Sequence, residues 1–186
     1  MYLKNPFADY GGIVTGNRFI GRKIEIEKIQ NRLLGVNYGN VAIIGLPRIG
    51  KSSLAWNAII EDKANLIKKK IIPIWISFGE YSSLKEVFHE VFSSLMDVSA
   101  ELEVISCHIS ETYLKYIDSK NNLEGKRYVK KILKLLKNNN FRLLLIFDEF
   151  DNAKNILSLN DFQFLREVCN NPETTARIRT RQWCII

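Results

Sequence analysis

Apolar residues recur along this chain in two rhythms: short unbroken runs, and stripes spaced three and four residues apart. Val41 to Gly45 is a short apolar run ending in glycine, and Ile71 to Phe78 and Arg142 to Phe147 are two more, the last being the most apolar segment of all. Runs of this length, rich in β-branched and aromatic residues, predict strands. Between them the helical rhythm takes over. Leu54, Ala55, Ala58 and Ile59 share one stripe over Lys51 to about Asp62, and Leu84, Val87, Phe88, Val91, Phe92 and Leu95 share another, with Glu86 and Glu90 outside. Ser82 and Ser83 stand where this second helix needs a cap. Further helices are predicted over about Ile105 to Ile117 and, after a turn at Asn121, Asn122 and Gly125, over about Lys126 to Lys137.

Strand and helix in alternation predict an α/β fold, a mostly parallel sheet with helices on its faces. Arg142 to Phe147 reads as a central strand buried on both sides. Pro73 marks its own run as an edge strand or one whose first residues are unpaired, because proline donates nothing to a ladder. No internal repeat, low-complexity tract or linker divides the 186 residues, and that length suits one domain.

Composition narrows the class. With 46% hydrophobic and 25% charged residues the chain is neither disordered nor a disulfide scaffold. Cys107, Cys169 and Cys184 are odd in number and widely spaced, which fits a reducing cytosol and supports no zinc site. No apolar run approaches the roughly 18–20 residues of a membrane span, and Met1 to Pro6 lacks a signal peptide's apolar core, so a cytoplasmic protein without a membrane partner is expected. Charge adds a direction: 27 basic against 20 acidic residues give +7, and residues 1–60 carry 8 bases against 3 acids. A polyphosphate is the simplest partner for that third of the chain.

The candidate chemistry lies in the same third. Gly45-Leu46-Pro47-Arg48-Ile49-Gly50-Lys51-Ser52 follows a predicted strand and opens a predicted helix, with glycines and a Lys-Ser pair at the spacing of a phosphate-binding loop, the Walker A motif. Glycines let backbone N–H groups curl around a phosphate, the positive end of the helix faces it, and Lys51 reaches its β and γ oxygens. Ser52 would supply a hydroxyl to Mg²⁺, with Ser53 beside it at the cradle. A second motif, Leu143 to Phe147 followed by Asp148 and Glu149, reads as the Walker B strand. Asp148 would hold the Mg²⁺ shell, and Glu149 would orient or deprotonate an attacking water. Taken singly, the first motif is also met as a chance glycine-rich turn and the second as a strand ending in a solvated acidic turn.

Together with Asn17-Arg18-Phe19-Ile20-Gly21-Arg22-Lys23-x-Glu25 and the acidic box Asp148-Glu149-Phe150-Asp151, these motifs make residues Pro6 to Glu167 resemble the STAND and AAA+-like branch of P-loop ATPases. The resemblance implies a three-layer αβα nucleotide-binding fold with a parallel sheet of the ASCE type, binding ATP and Mg²⁺. It implies an N-terminal linker over 1–40 with Phe19, Ile20 and Arg22 at the base and ribose end, and a nucleotide-binding core over 41–170. It further implies a sensor strand at the centre of the sheet, a helical lid, and a homo-oligomer or larger ATPase assembly. Residues 171–186 show no convincing sensor, so the sheet is expected to be incomplete and this stretch to be a divergent or truncated tail. Either Ile178 to Ile186 supplies a stub of the missing strand or the chain is a fragment of a larger ATPase; Arg177, Arg179 and Arg181 alternate with period two, which fits either one face of a strand or a solvated tail.

Two function classes follow. One is an ATPase that couples hydrolysis to a conformational or assembly switch; the other is a binding module in which nucleotide is not turned over. A third reading, an initiator-like ATPase that also binds nucleic acid, draws on the basic helix of Lys126, Arg127, Lys130, Lys131, Lys134 and Lys137, although nucleic acid is not required to account for the charge. That helix also reads as an ordinary amphipathic surface element, since its apolar stripe of Val129, Ile132, Leu133 and Leu136 lies opposite and only Tyr128 is a nearby aromatic. Lys68-Lys69-Lys70 reads as a solvated strand entry. Arg48 is placed to touch the γ-phosphate or a neighbouring subunit, or to sit in solvent at the loop tip. His89 has no second ligand one turn away and reads as a structural or surface histidine, and Trp56 is expected against the N-terminal segment.

Overall fold

Four strands form one parallel sheet in the order β1-β4-β3-β2, with β1 at Asn40–Ile44, β2 at Ile71–Ser77, β3 at Arg142–Asp148 and β4 at Arg177–Arg181. They belong to a computed structural model that describes residues 12–35, 39–102, 107–170 and 177–181. Helices α1 (Lys23–Leu34), α2 (Lys51–Ile59) and α3 (Lys63–Lys68) belong to one layer. Helices α4 (Leu84–Leu102), α5 (Cys107–Ile117), α6 (Asn122–Asn138), α7 (Ala153–Ile156) and α8 (Leu159–Asn170) belong to the other. This is the α/β architecture expected from the alternating pattern, a parallel sheet with helices on its faces, in the three layers that the family resemblance implies.

Period-two alternation in β2 and β3 divides the core. Ile72, Ile74 and Ile76 with Leu143, Leu145 and Phe147 pack under Val87, Phe88, Val91, Phe92 and Leu95 of α4. Leu144 and Ile146 face the opposite way, onto Leu54, Ala55, Ala58 and Ile59 of α2 and Ile29 and Leu33 of α1. A strand buried on both faces therefore has apolar residues at consecutive positions, as Leu143 to Phe147 do. Pro73 sits on β2, which among the described residues pairs only with β3, so its missing donor falls on an edge.

Of the two readings open for Arg177, Arg179 and Arg181, the strand is the one found. Arg177 pairs with Asn40 on one side and Leu145 on the other, which places β4 between the glycine-loop strand and the acidic strand. The backbone edges of β1 and β3 that a missing centre would leave open are thereby covered over this stretch. Residues 182–186, including Cys184 and the rest of the expected stub, lie outside the described residues, as do residues 103–106 at the expected start of α5.

Three local details differ from the sequence expectation. Helix α1 occupies part of the stretch read as a linker, its Ile26, Ile29 and Leu33 spaced to meet the core. Helix α6 starts four residues earlier than Lys126, because the Asn121 side chain caps it by accepting from the Glu124 N–H at 2.9 Å. Gly125 is then no turn residue but a buried position inside the helix, where a Cβ would meet Ser119 and Tyr116 at 3.4 and 3.6 Å, ordinary packing distances. Trp56, expected against the N-terminal segment, meets Trp75 of β2 edge to face at 5.3 Å; among the described residues of that segment Val14 is bonded to α2, and residues 1–11 lie outside the described residues.

Helices α6 and α8 are joined by a buried carboxylate. Asp161 accepts from Lys126 at 2.8 Å, from the Ser158 hydroxyl at 2.7 Å and N–H at 3.2 Å, and from the Asn122 amide at 3.3 Å. Burial pushes its carboxyl up, and these donors more than reverse that, holding it at about 2 instead of 3.8. A depressed value in the folded state gives stability that is complete above the unfolded pKa and lost as pH falls through the folded one. Asp161→Asn is therefore expected to cost roughly 2 kcal/mol at neutral pH, a fall in Tm of about 4–8 °C. In thermal melts that gap should narrow between about pH 4 and about pH 2.

Candidate functional site

All four strands run the same way, so their C-terminal ends share one rim, and the chemistry-bearing residues collect there. From β1 the chain enters the loop Gly45 to Gly50 and passes directly into α2 at Lys51. Gly50, with φ 81°, is the left-handed residue that turns loop into helix. A side chain at Gly45 would collide with that of Ile49, so the loop folds tightly over its own start. Arg48 also has positive φ, at 61°, a conformation disfavoured for arginine that is retained at the loop's outer bend.

Lys51 is buried, and its ammonium donates to the carbonyls of Gly45 at 3.1 Å and Leu46 at 2.8 Å. One residue on, the Ser52 hydroxyl donates to Asp148 Oδ1 at 2.9 Å, joining the start of α2 to the end of β3 across the intervening β4. Asp148 Oδ1 also accepts the Glu149 N–H at 3.0 Å. The structure thus brings Ser52 and Asp148 together, with Lys51 on the adjoining loop.

Glu149 is held differently. Its backbone is left-handed at φ 50°, the chain having turned sharply because Phe150 is drawn inward. Phe150 meets Phe78 edge to face at 5.1 Å and stacks on Phe147 at 5.8 Å. Its neighbour Glu149 is left exposed at the rim, where Oε2 accepts from the Ser77 hydroxyl at 3.3 Å. Gly79 makes room for this: a Cβ there would lie 2.5 Å from Glu149 Oε2. Sequence reasoning passed over Ser77 and Gly79. The available signal was register, since Ser77 pairs with Asp148 and ends its strand where the acid ends its own.

The N-terminal segment divides by residue. Arg22 donates to the Ile49 carbonyl at 2.7 Å and so braces the loop from outside. Phe19 is half-buried against the core under α1 and α2, whereas Ile20 is 88% exposed. Ser53 is buried with its hydroxyl accepting from the Val14 N–H at 2.9 Å, and Asn57 donates to the Val14 carbonyl at 2.7 Å. Leu46 and Ile49 on the loop and Ile24 on α1 also stay exposed, giving the rim beside Arg22 an apolar border. Among the described residues no cluster of His, Cys, Asp and Glu is arranged to hold a metal by itself, His89 pairs with the Tyr113 hydroxyl at 3.3 Å, and no helix is long and apolar enough to cross a membrane.

A glycine loop between strand and helix, its serine facing an acid carried by the next strand but one, is the arrangement of a P-loop ATPase. The chain belongs to the NB-ARC domain family, whose model matches residues 22–162. Its fold is similar to that of the ORC1 protein of Aeropyrum pernix, solved in complex with DNA, with a TM-score of 0.59 and 15% sequence identity. That match covers 96% of this chain and 42% of the other, so the chain spans less than half the length of the protein it resembles. Comparison with curated proteins gives no match.

The brace on the loop is testable by itself. Arg22→Ala removes one charge-assisted bond worth about 1 kcal/mol or more. Amide hydrogen exchange over residues 45–50 should then quicken about fivefold or more, while exchange in β2 and β3 stays unchanged.

Proposed function

We propose that the chain binds ATP with Mg²⁺ at the loop Gly45 to Ser53 and hydrolyses the γ-phosphate, coupling turnover to a conformational or assembly switch. The observation that carries this reading is the 2.9 Å bond from Ser52 to Asp148, which puts two hard oxygen donors at one point beside a phosphate-shaped loop. A hydroxyl and a carboxylate are the protein ligands that Mg²⁺ takes when phosphate and water fill its other positions, so the residues present fit the ion. When bound, Mg²⁺ would offset the charge on the β- and γ-phosphates.

The remaining work falls to the chain's own groups. Lys51 now rests on two neutral carbonyls, and a phosphate oxygen is a stronger acceptor for the same ammonium. Leu46, Arg48, Ile49, Gly50, Lys51 and Ser52 offer backbone N–H groups to the phosphates, and Pro47, with no donor, contributes only shape. Arg22 and Ile20, with Phe19 behind them, would take the ribose and base end, where the exposed apolar border suits a flat ring. Glu149 would accept a proton from the water whose oxygen bonds to the γ-phosphorus as the bond to the bridging oxygen breaks. To do so its carboxylate must leave Ser77. An arginine from a further domain or a neighbouring protomer would supply the remaining charge at the transition state.

The hold of Ser77 on Glu149 favours a second reading, in which nucleotide is bound as a switch and not hydrolysed. The two separate experimentally. Under both, Lys51→Ala should weaken ATP binding about 10- to 100-fold by calorimetry, and equal affinity in the two proteins would sink the site assignment. Under the hydrolytic reading Glu149→Gln should slow phosphate release about 100-fold or more with affinity within about twofold of wild type. Ser77→Ala should leave binding intact and raise the hydrolysis rate. A wild-type chain that binds ATP and releases no phosphate, with Ser77→Ala equally silent even when free guanidinium stands in for the missing arginine, would decide for the switch.

A further inference from the structure

The fold assembles a second basic surface, away from the nucleotide rim, from two segments far apart in sequence. The turn after α3 and the turn after α6 lead into adjacent strands, and both use a left-handed residue, Lys70 at φ 62° and Asn140 at φ 60°. They lie side by side: the Arg142 N–H donates to the Lys70 carbonyl at 2.9 Å, and the Lys70 ammonium stands 5.5 Å from the centre of the Phe141 ring. Lys68, Lys69 and Lys70 are exposed there, beside the C-terminal end of α6. The strands start at this edge and run about 20 Å to the phosphate loop, so the surface is separate from the candidate ATP site.

Helix α6 extends the charge. Its buried stripe is Gly125, Val129, Ile132, Leu133 and Leu136, and Arg127, Lys131 and Lys134 lie opposite it in solvent. The side toward α8 is neutralised, Lys126 by Asp161 at 2.8 Å and Lys130 by Glu167 at 2.7 Å. The outer stripe has no such acid: among the described residues no carboxylate is within ion-pair distance of Arg127, Lys131, Lys134, Lys68 or Lys69. Successive cations on the stripe rise about 5 Å along the helix, so Arg127, Lys131 and Lys134 form a line of positive charge roughly 10 Å long.

The partner follows from what accompanies the charge. A membrane surface would call for several apolar anchors among the cations; among the described residues the exposed large apolar side chains lie at the nucleotide rim, on α5 and at the start of α8, and Leu123, one turn before Arg127, is the one that reaches the end of the stripe. A folded acidic protein would need an apolar or aromatic centre to its interface, and lysine is depleted from such centres. A polar, strongly positive face without exposed aromatics suits a regular phosphate backbone. We propose that Lys68, Lys69, Lys70, Arg127, Lys131 and Lys134 bind the backbone of double-stranded nucleic acid without reading its sequence.

The test is fluorescence anisotropy of the 186-residue chain with a labelled 20-base-pair duplex of random sequence between 50 and 200 mM salt. With about five phosphates neutralised, affinity should fall about 10²- to 10³-fold across that range. Arg127→Gln/Lys131→Gln/Lys134→Gln should reduce the slope of log affinity on log salt by about 2 to 3, and Lys68→Gln/Lys69→Gln by about 1 to 2. Glutamine keeps helix propensity, and the second variant lies on a separate turn, so a folding defect in one leaves the other to decide. Lys51→Ala should bind the duplex as wild type does even if ATP binding is lost, which separates this proposal from the nucleotide site. The proposal is overturned if wild type fails to bind at 50 mM salt or if both variants keep the full slope. It is equally overturned if Lys51→Ala abolishes duplex binding, or if the chain sediments with phosphatidylserine vesicles and ignores the duplex.

Discussion

A hydroxyl on the first turn of one helix meets a carboxylate at the tip of a distant strand only if their two strands run parallel and stay a fixed distance apart. In this chain that spacing is one strand wide, about 10 Å from β1 to β3, and β4 fills it by pairing with both. The Ser52–Asp148 bond at 2.9 Å is the consequence. The rest of the site hangs on the same geometry, because parallel strands deliver the glycine loop, Ser77 and Asp148-Glu149 to a single rim. The five residues of β4 thus support a site to which the chemistry assigns none of their side chains.

Around that bond the loop is held from two sides. Arg22 takes the Ile49 carbonyl on the outside, and Val14 is tied to Ser53 and Asn57 behind the helix. Both contacts come from the N-terminal stretch, which explains why its charge and its apolar residues lie where they do. The acid beyond Asp148 is restrained by packing as well as by hydrogen bonding. Phe150 is buried against Phe78 and Phe147, and the backbone that draws it inward turns Glu149 out to Ser77. A rigid aromatic anchor thus stands next to a rotatable carboxylate.

Much of this was legible in residue order. The continuous apolar run of β3 betrayed a strand with helices on both faces, and Pro73 left β2 as an edge strand or one with unpaired first residues, of which the edge is the one found among the described residues. The loop motif named its own lysine and serine because glycine spacing is local chemistry. What escaped is non-local. The alternation of arginines at 177–181 is as compatible with solvent as with a strand, and only pairing with β1 and β3 decides it. Ser77 and Gly79 carry no motif and gain meaning from register with Asp148. Gly125 looked like a turn because glycine usually is one, whereas here it is a buried position inside α6. Ser53 belongs to the loop motif by position, yet its hydroxyl is occupied by Val14.

The central claim is that Ser52 and Asp148 form one Mg²⁺-dependent phosphate site. The direct measurement is the ATP affinity of wild type and Asp148→Asn by calorimetry, each with Mg²⁺ and with the metal chelated. The account predicts that Mg²⁺ tightens binding to wild type and has little effect on the variant, whose affinity without metal stays near that of wild type. An equal response to Mg²⁺ in both proteins would contradict it.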